Sequence, residues 1–125
     1  MIIAIGIDIV EVKRIAQSLK TFKGRFREKY FTSLEREYCS SKAKPSQHYA
    51  ARFAAKEAAF KSLGSPWPKG CGHIDVEITT SEDGIPILKF SPALQKAYEE
   101  IGMKKVHLSI THTKSTAAAV VIIEG

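Results

Sequence analysis

The chain has 125 residues, 44% hydrophobic and 26% charged, a balance that predicts one folded domain, leaves little room for a second and gives neither end the low-hydrophobicity signature of a disordered tail. Its longest apolar runs, residues 1–7 and 117–123, fall far short of the roughly 20 residues of a membrane helix, and Asp8 and Glu11 follow the first run too closely for a secretory leader. Two cysteines, Cys39 and Cys71, are too few for a disulfide framework and point to a reducing cytoplasm, while a net charge of +6 predicts an anionic partner: nucleic acid, membrane surface, acidic protein or polyphosphate.

Residues 1–10 alternate, with Ile3, Ile5, Ile7 and Ile9 on one face and Ala4, Gly6, Asp8 and Val10 on the other, which predicts a strand carrying one carboxylate on its small-residue face. From Val12 the period becomes helical. Val12, Ile15, Leu19 and Phe22 form an apolar stripe, flanked by Lys13, Arg14, Gln17 and Lys20. Thr32 and Glu35 have the form of a capping box, so a helix is predicted from there through Tyr38 towards Lys42, with Pro45 separating it from the next. Residues 47–63 read as an alanine-rich helix closed by Gly64.

Residues 65–72, with Pro66, Pro68, Gly70 and Gly72, predict a loop containing Trp67, whose ring is expected to pack rather than stand exposed. Residues 74–79 and 85–90 predict two strands around the turn at Glu82, Asp83 and Gly84, with Pro86 at an edge or at the first position of its strand. A helix over 92–101 carries Leu94, Ala97, Tyr98 and Ile101 on one side. Residues 106–111 and 116–123 predict a hairpin around 113–115.

Four groups of residues invite chemistry. Asp8 reads first as an N-cap for the helix that follows, aspartate being favoured there, although Gly6 and Ala4 leave space beside it for an ion or a phosphate. Glu57 has the spacing of an exposed pair with Lys61, yet it lies beside Phe53 and Phe60 on the face expected to point inward, where a carboxylate needs a cation or a metal. Arg52 and Lys56 form a basic stripe without an acid on the same helix, which reads as a solvated face or a phosphate clamp. His112 closes a strand beside a hairpin tip. No zinc-ligand spacing, phosphate loop or serine-hydrolase motif is present.

Three segments in order, GIDIVEVKRI (6–15), ARFAAKEAAFKSLG (51–64) and LSITHTKSTAAAVVI (108–122), strongly resemble the holo-acyl-carrier-protein synthase family of phosphopantetheinyl transferases. FTSLEREYC (31–39), DVEI (75–78) and GIP (84–86) extend the resemblance over nearly the whole chain. It implies an α+β fold, a small antiparallel sheet packed against helices in a single domain over residues 1–125. It also implies transfer of the 4'-phosphopantetheine group of coenzyme A to a serine of apo-acyl carrier protein, releasing adenosine 3',5'-bisphosphate, in support of fatty acid biosynthesis.

On the same resemblance Asp8 and Glu57 hold Mg²⁺ with the coenzyme pyrophosphate, and Lys61 stabilises the phosphate charge or the leaving group. Either Glu57 or a metal-bound water takes the serine proton. Arg52, His112 and Thr113 line the coenzyme site, Gly84 and Pro86 form its other wall, and Lys44, with Lys42, reaches the 3'-phosphate. The helix after Asp8, with Lys13, Arg14 and Lys20, receives the acidic carrier protein, and the expected assembly is a homotrimer with active sites between subunits. Two competing readings, a Mg²⁺-dependent nuclease built on Asp8 and Glu57 and a basic nucleic-acid-binding module, explain the charge but not the three ordered segments. No nucleic-acid or membrane partner is expected.

Overall fold

A computed structural model describes residues 1–21, 24–64 and 67–125. Phe22 of the first helical stripe and Ser65 and Pro66 of the loop lie outside the described residues. The chain runs β1 (Ile2–Glu11), α1 (Val12–Thr21), α2 (Arg25–Tyr30), α3 (Ser33–Ser40), α4 (Pro45–Leu63), a 3-10 turn (His73–Asp75), β2 (Val76–Thr80), β3 (Pro86–Phe90), α5 (Pro92–Glu100), β4 (Lys105–His112) and β5 (Thr116–Glu124). The expected α+β architecture is present. Its antiparallel strands form two sheets, a three-stranded one in the order β1-β5-β4 and the β2-β3 ribbon.

Helix α4 is the axis of the molecule. Sheet residues from β1 and β5 pack along one side, while α1, α3 and β2 close the others. This accounts for its alanines: a helix covered nearly all round has no polar face, and small side chains let several elements approach it. The approach is tightest at Gly6, paired with Val121 in the β1–β5 ladder, where a Cβ would collide with the Ala58 carbonyl of α4. Any side chain at that position forces strand and helix apart, so Gly6 fixes the depth of β1 and with it the height of Asp8 two residues on.

The alternation of β1 is as expected, and the structure settles which face is covered. Val10 and Gly6 face α4, with Ala4 and Asp8 partly covered on the same side, whereas the isoleucines at 3, 5, 7 and 9 are exposed, Ile9 at 71%. The Thr32–Glu35 capping box forms, with each side chain accepting from the other residue's backbone N–H. Helix α3 ends at Ser40. Pro45 occupies the first turn of α4, where its missing N–H costs no helical bond, so that helix begins two residues before the expected start. Gly64 ends it at φ 84°, in the left-handed region. Pro86 is the first residue of β3. The short helix α2 lacks both a side-chain cap and a buried residue, and the apolar pattern does not mark it. Ile101, expected on the apolar side of α5, is exposed just past its end. Among the described residues no helix is long and apolar enough to cross a membrane, and Cys39 and Cys71 are free thiols.

Candidate active site

Asp8 does not cap a helix: strand β1 continues through it to Glu11, and its Cα pairs with Ala119. Its side chain instead turns towards α4, where Lys61 Nζ donates to Asp8 Oδ1 at 2.8 Å and to the Ile7 carbonyl at 3.3 Å. The Asp8 carboxylate beside it, aided by the more distant Glu57 charge, raises the Lys61 ammonium above the ordinary lysine value. The expected pairing of Lys61 with Glu57 is therefore replaced by one across the fold.

Glu57 does not point into the core. Its side chain is about a third exposed, at one of the few gaps in the cover of α4. Its neighbour is His73, whose Nε2 stands 3.5 Å from Glu57 Oε1. That imidazole holds the Glu57 carboxyl below the usual carboxylate range, against burial, which pushes the other way. Glu57 is thus kept ionised and receptive to a cation. Asp8, Glu57 and Lys61 form one charged group at the β1 edge of the molecule, with Arg14 of α1 also within electrostatic reach of Glu57. Arg14 lines a cleft of about 330 Å³ with Ser18, Arg25, Phe26, Lys29, Tyr30 and Phe53, beside the same turn of α4.

Among the described residues no cluster of three or more His, Cys, Asp or Glu could enclose a metal. Two hard carboxylates without a protein cage suit Mg²⁺, which keeps waters and takes phosphate oxygens as its remaining ligands. The observation that supports the fit is Lys61, already drawn to Asp8 and in the field of Glu57: the two acids set up a potential that holds a cation.

A second group forms elsewhere. Arg52 and Glu57 are five positions apart on α4, roughly 140° around its axis at about 100° per residue. The Arg52 Nη2 donates to Thr80 Oγ1 at 3.0 Å, and its guanidinium lies 4.2 Å from the centre of the Tyr38 ring. Lys42 covers the same ring at 4.4 Å. The His48 ring lies between Tyr38 and His112, at 5.9 and 5.5 Å. Thr80 pairs with Pro86, bringing the β2–β3 ribbon end to this group, and Gly84 makes the turn at φ 80°. Thr113 follows His112 in the β4–β5 turn, and Lys44 precedes α4. Burial lowers the His48 imidazole below its ordinary value, with His112, Arg52 and Lys42 adding to the effect. None of these cations is in an ion pair among the described residues, so the group presents uncompensated positive charge.

The structure corrects the reading of Arg52 and Lys56 as a solvated stripe. Both are buried. Lys56 Nζ donates to Glu35 Oε1 at 2.7 Å, to the His73 carbonyl at 2.9 Å and to the Val76 carbonyl, and Glu35 also accepts from the backbone N–H groups of Ile78 and Thr32. The partner acid comes from another helix, which is why helical spacing did not reveal it. Lys56 is therefore fully engaged in structure. Arg52 keeps a buried Nε without a partner, and its depth places it beneath the anion-receptive surface. His73 and His48 were missed because neither period nor motif marks them, and Tyr38, though inside the segment 31–39, was missed because its partners Arg52 and Lys42 lie outside that segment. Trp67 packs as expected, stacked on Phe60 with ring centres 3.3 Å apart.

Two carboxylates at one edge and an aromatic-lined basic group at another suit an enzyme of phosphate chemistry. The chain belongs to the 4'-phosphopantetheinyl transferase superfamily, whose model matches residues 4–121. It is 43% identical to a holo-[acyl-carrier-protein] synthase of Koribacter versatilis, over 99% of each chain. Its fold matches the crystal structure of the Neisseria meningitidis holo-[acyl-carrier-protein] synthase with a TM-score of 0.90 and 35% identity, covering 100% of both chains. The Helicobacter pylori holo-[acyl-carrier-protein] synthase in complex with coenzyme A matches with a TM-score of 0.82 and 32% identity, over 96% of this chain and 99% of that one.

Proposed function

We infer that this protein is a holo-acyl-carrier-protein synthase, transferring 4'-phosphopantetheine from coenzyme A to a serine of apo-acyl carrier protein. Full-length similarity to named synthases carries that conclusion, and the split site supplies its chemistry. Asp8 and Glu57 would hold Mg²⁺, and when bound the ion would supply charge neutralisation and a Lewis-acid contact at the pyrophosphate. Lys61, whose side chain is largely exposed, would balance negative charge on the phosphates or on the departing adenosine bisphosphate. The cationic group around Tyr38, His48 and His112 suits the adenosine phosphates, with Thr113, Gly84, Pro86 and Lys44 at its borders and Arg52 supporting it from below.

These two groups sit at opposite edges of the three-stranded sheet, Asp8 on β1 and His112 on β4. One compact ligand spanning both is best served by two chains, head to tail, a contact that forms a ring when its rotation closes. The isoleucines exposed on β1 lie on the face that such a ring would cover. On the family resemblance that assembly is a homotrimer with sites between subunits, and sedimentation equilibrium is expected to give three times the 13.8 kDa chain mass; a monomer or a dimer would overturn the arrangement. Helix α1, with Lys13, Arg14 and Lys20 exposed, offers a basic face to an acidic carrier protein beside Glu57. The free thiols fit a reducing cytoplasm.

The test is to mix the protein with apo-acyl carrier protein, coenzyme A and Mg²⁺ and to weigh the carrier by mass spectrometry. Addition of phosphopantetheine that EDTA abolishes is the expected result. In the same assay Arg14→Glu should raise KM for the carrier roughly 10-fold or more, from losing one close charge contact and gaining a repulsive one, while coenzyme affinity stays near its original value. No transfer to any carrier, or Mg²⁺-dependent cleavage of nucleic acid in its place, would overturn the reading.

A further inference from the structure

His73 is placed where the reaction chemistry has no assigned use for it. Its Nε2 is buried and has no hydrogen-bond partner within ordinary geometry, yet the nearest acid, Glu57 Oε1, is 3.5 Å away. Buried nitrogens without partners are rare in native folds and call for an explanation. The ring is not free to seek another acceptor. It stacks on Phe53 at 5.4 Å with planes 11° apart, and the rings of Tyr30, Phe60 and Trp67 surround it at 4.7, 5.6 and 5.5 Å. Its backbone is held as firmly, because the His73 carbonyl accepts from the buried Lys56 ammonium, and the same ammonium bonds Glu35 and Val76.

We propose that His73 is a positioning residue for Glu57: its Nε2–H donates to Oε1 and fixes the carboxylate so that Oε2 is left for the cation. The proposal rests on the reading of Glu57 as a Mg²⁺ ligand. A neutral imidazole carries one N–H, and a buried donor facing a carboxylate places it on Nε2. Hydrogen bonds of this kind often run long in the unliganded protein and tighten when the site is filled. A glutamate at a gap in the helix cover otherwise has three side-chain torsions to search. An acid whose unused oxygen is clamped loses that freedom before the ligand arrives, as outer partners of metal ligands do elsewhere. The aromatic cage makes the clamp rigid, and the Lys56 anchor ties it to the core.

Three full-length proteins test this: wild type, His73→Phe, which keeps a ring for the stack but removes the donor, and His73→Gln, whose amide nitrogen can reach the place of Nε2. Each is titrated with Mg²⁺ by calorimetry at saturating coenzyme A, followed by thermal melting and steady-state transfer. In H73F the Mg²⁺ dissociation constant is expected to rise roughly 10- to 100-fold and kcat to fall, with KM for the carrier and the melting temperature unchanged. H73Q should recover most of the affinity. Wild-type affinity in H73F would overturn the proposal. So would equal loss in both variants, or an H73F protein that melts in step with its loss of affinity or no longer folds, since each marks His73 as packing alone. A wild-type protein that transfers phosphopantetheine but ignores Mg²⁺ would instead sink the ligand assignment of Glu57.

Discussion

Glu57→Gln is expected to lower transfer by about 10²- to 10⁴-fold, with little change in thermal stability. The amide has the shape of the carboxylate but neither its charge nor its basicity, so a role as ligand and a role as proton acceptor are both lost. Stability should hold because Glu57 is partly exposed and supports no buried group other than the His73 contact, to which the glutamine oxygen can still accept. Turnover measured by carrier mass, together with a melting curve on the same sample, checks both halves. Activity within a few-fold of the original protein would remove Glu57 from the site. A melting temperature that fell with activity would make it a structural acid.

The largest loss of stability should come from Lys56→Met. Lys56 and Glu35 are both completely buried, and burial drags the lysine ammonium below its ordinary value while Glu35 opposes that trend. Removing one member leaves a carboxylate in the core without a cation, which costs about 3–5 kcal/mol, and it also strips the His73 and Val76 carbonyls of their donor. Against a total stability of roughly 5–15 kcal/mol for a domain of this kind, such a loss leaves a marginal fold. Urea unfolding should show a midpoint lowered by about 2 M, given slopes of about 1–3 kcal/mol per molar urea. Combining Glu35→Gln with Lys56→Met should recover part of the loss, because the stranded charge is gone while the amide still accepts from Ile78 N–H. A single variant as stable as the original would show the pair to be dispensable.

Lys56 and Lys61, five residues apart on α4, show how unevenly function can be read from sequence. Lys61 lies near the end of α4 and reaches across to Asp8; Lys56 lies mid-helix and ends in the core. Helical spacing treats both as polar positions, because periodicity describes one element at a time and says nothing of what packs against it. The same limit applies to β1, whose alternation was plain while the choice of face was not: the small residues face α4 because Gly6 lets the strand sit on the helix backbone, and the isoleucines are left outside.

What the sequence by itself determined was local: strand and helix positions from period 2 and period 3.6, the capping box at Thr32 and Glu35, the stop at Gly64, Pro86 at a strand start, and the family through three ordered segments. These depend on neighbours along the chain, whose chemistry is printed in order. The tertiary structure alone decided that Asp8 meets Lys61 rather than capping α1, that Glu57 lies at a gap beside His73, that Lys56 is neutralised by Glu35, and that the cationic group gathers at the far edge of the sheet. The pairs Glu57–His73, Glu35–Lys56, Asp8–Lys61 and His48–His112 join residues 16 to 64 positions apart, and electrostatics acts through the space that packing creates, which no pattern along the chain records.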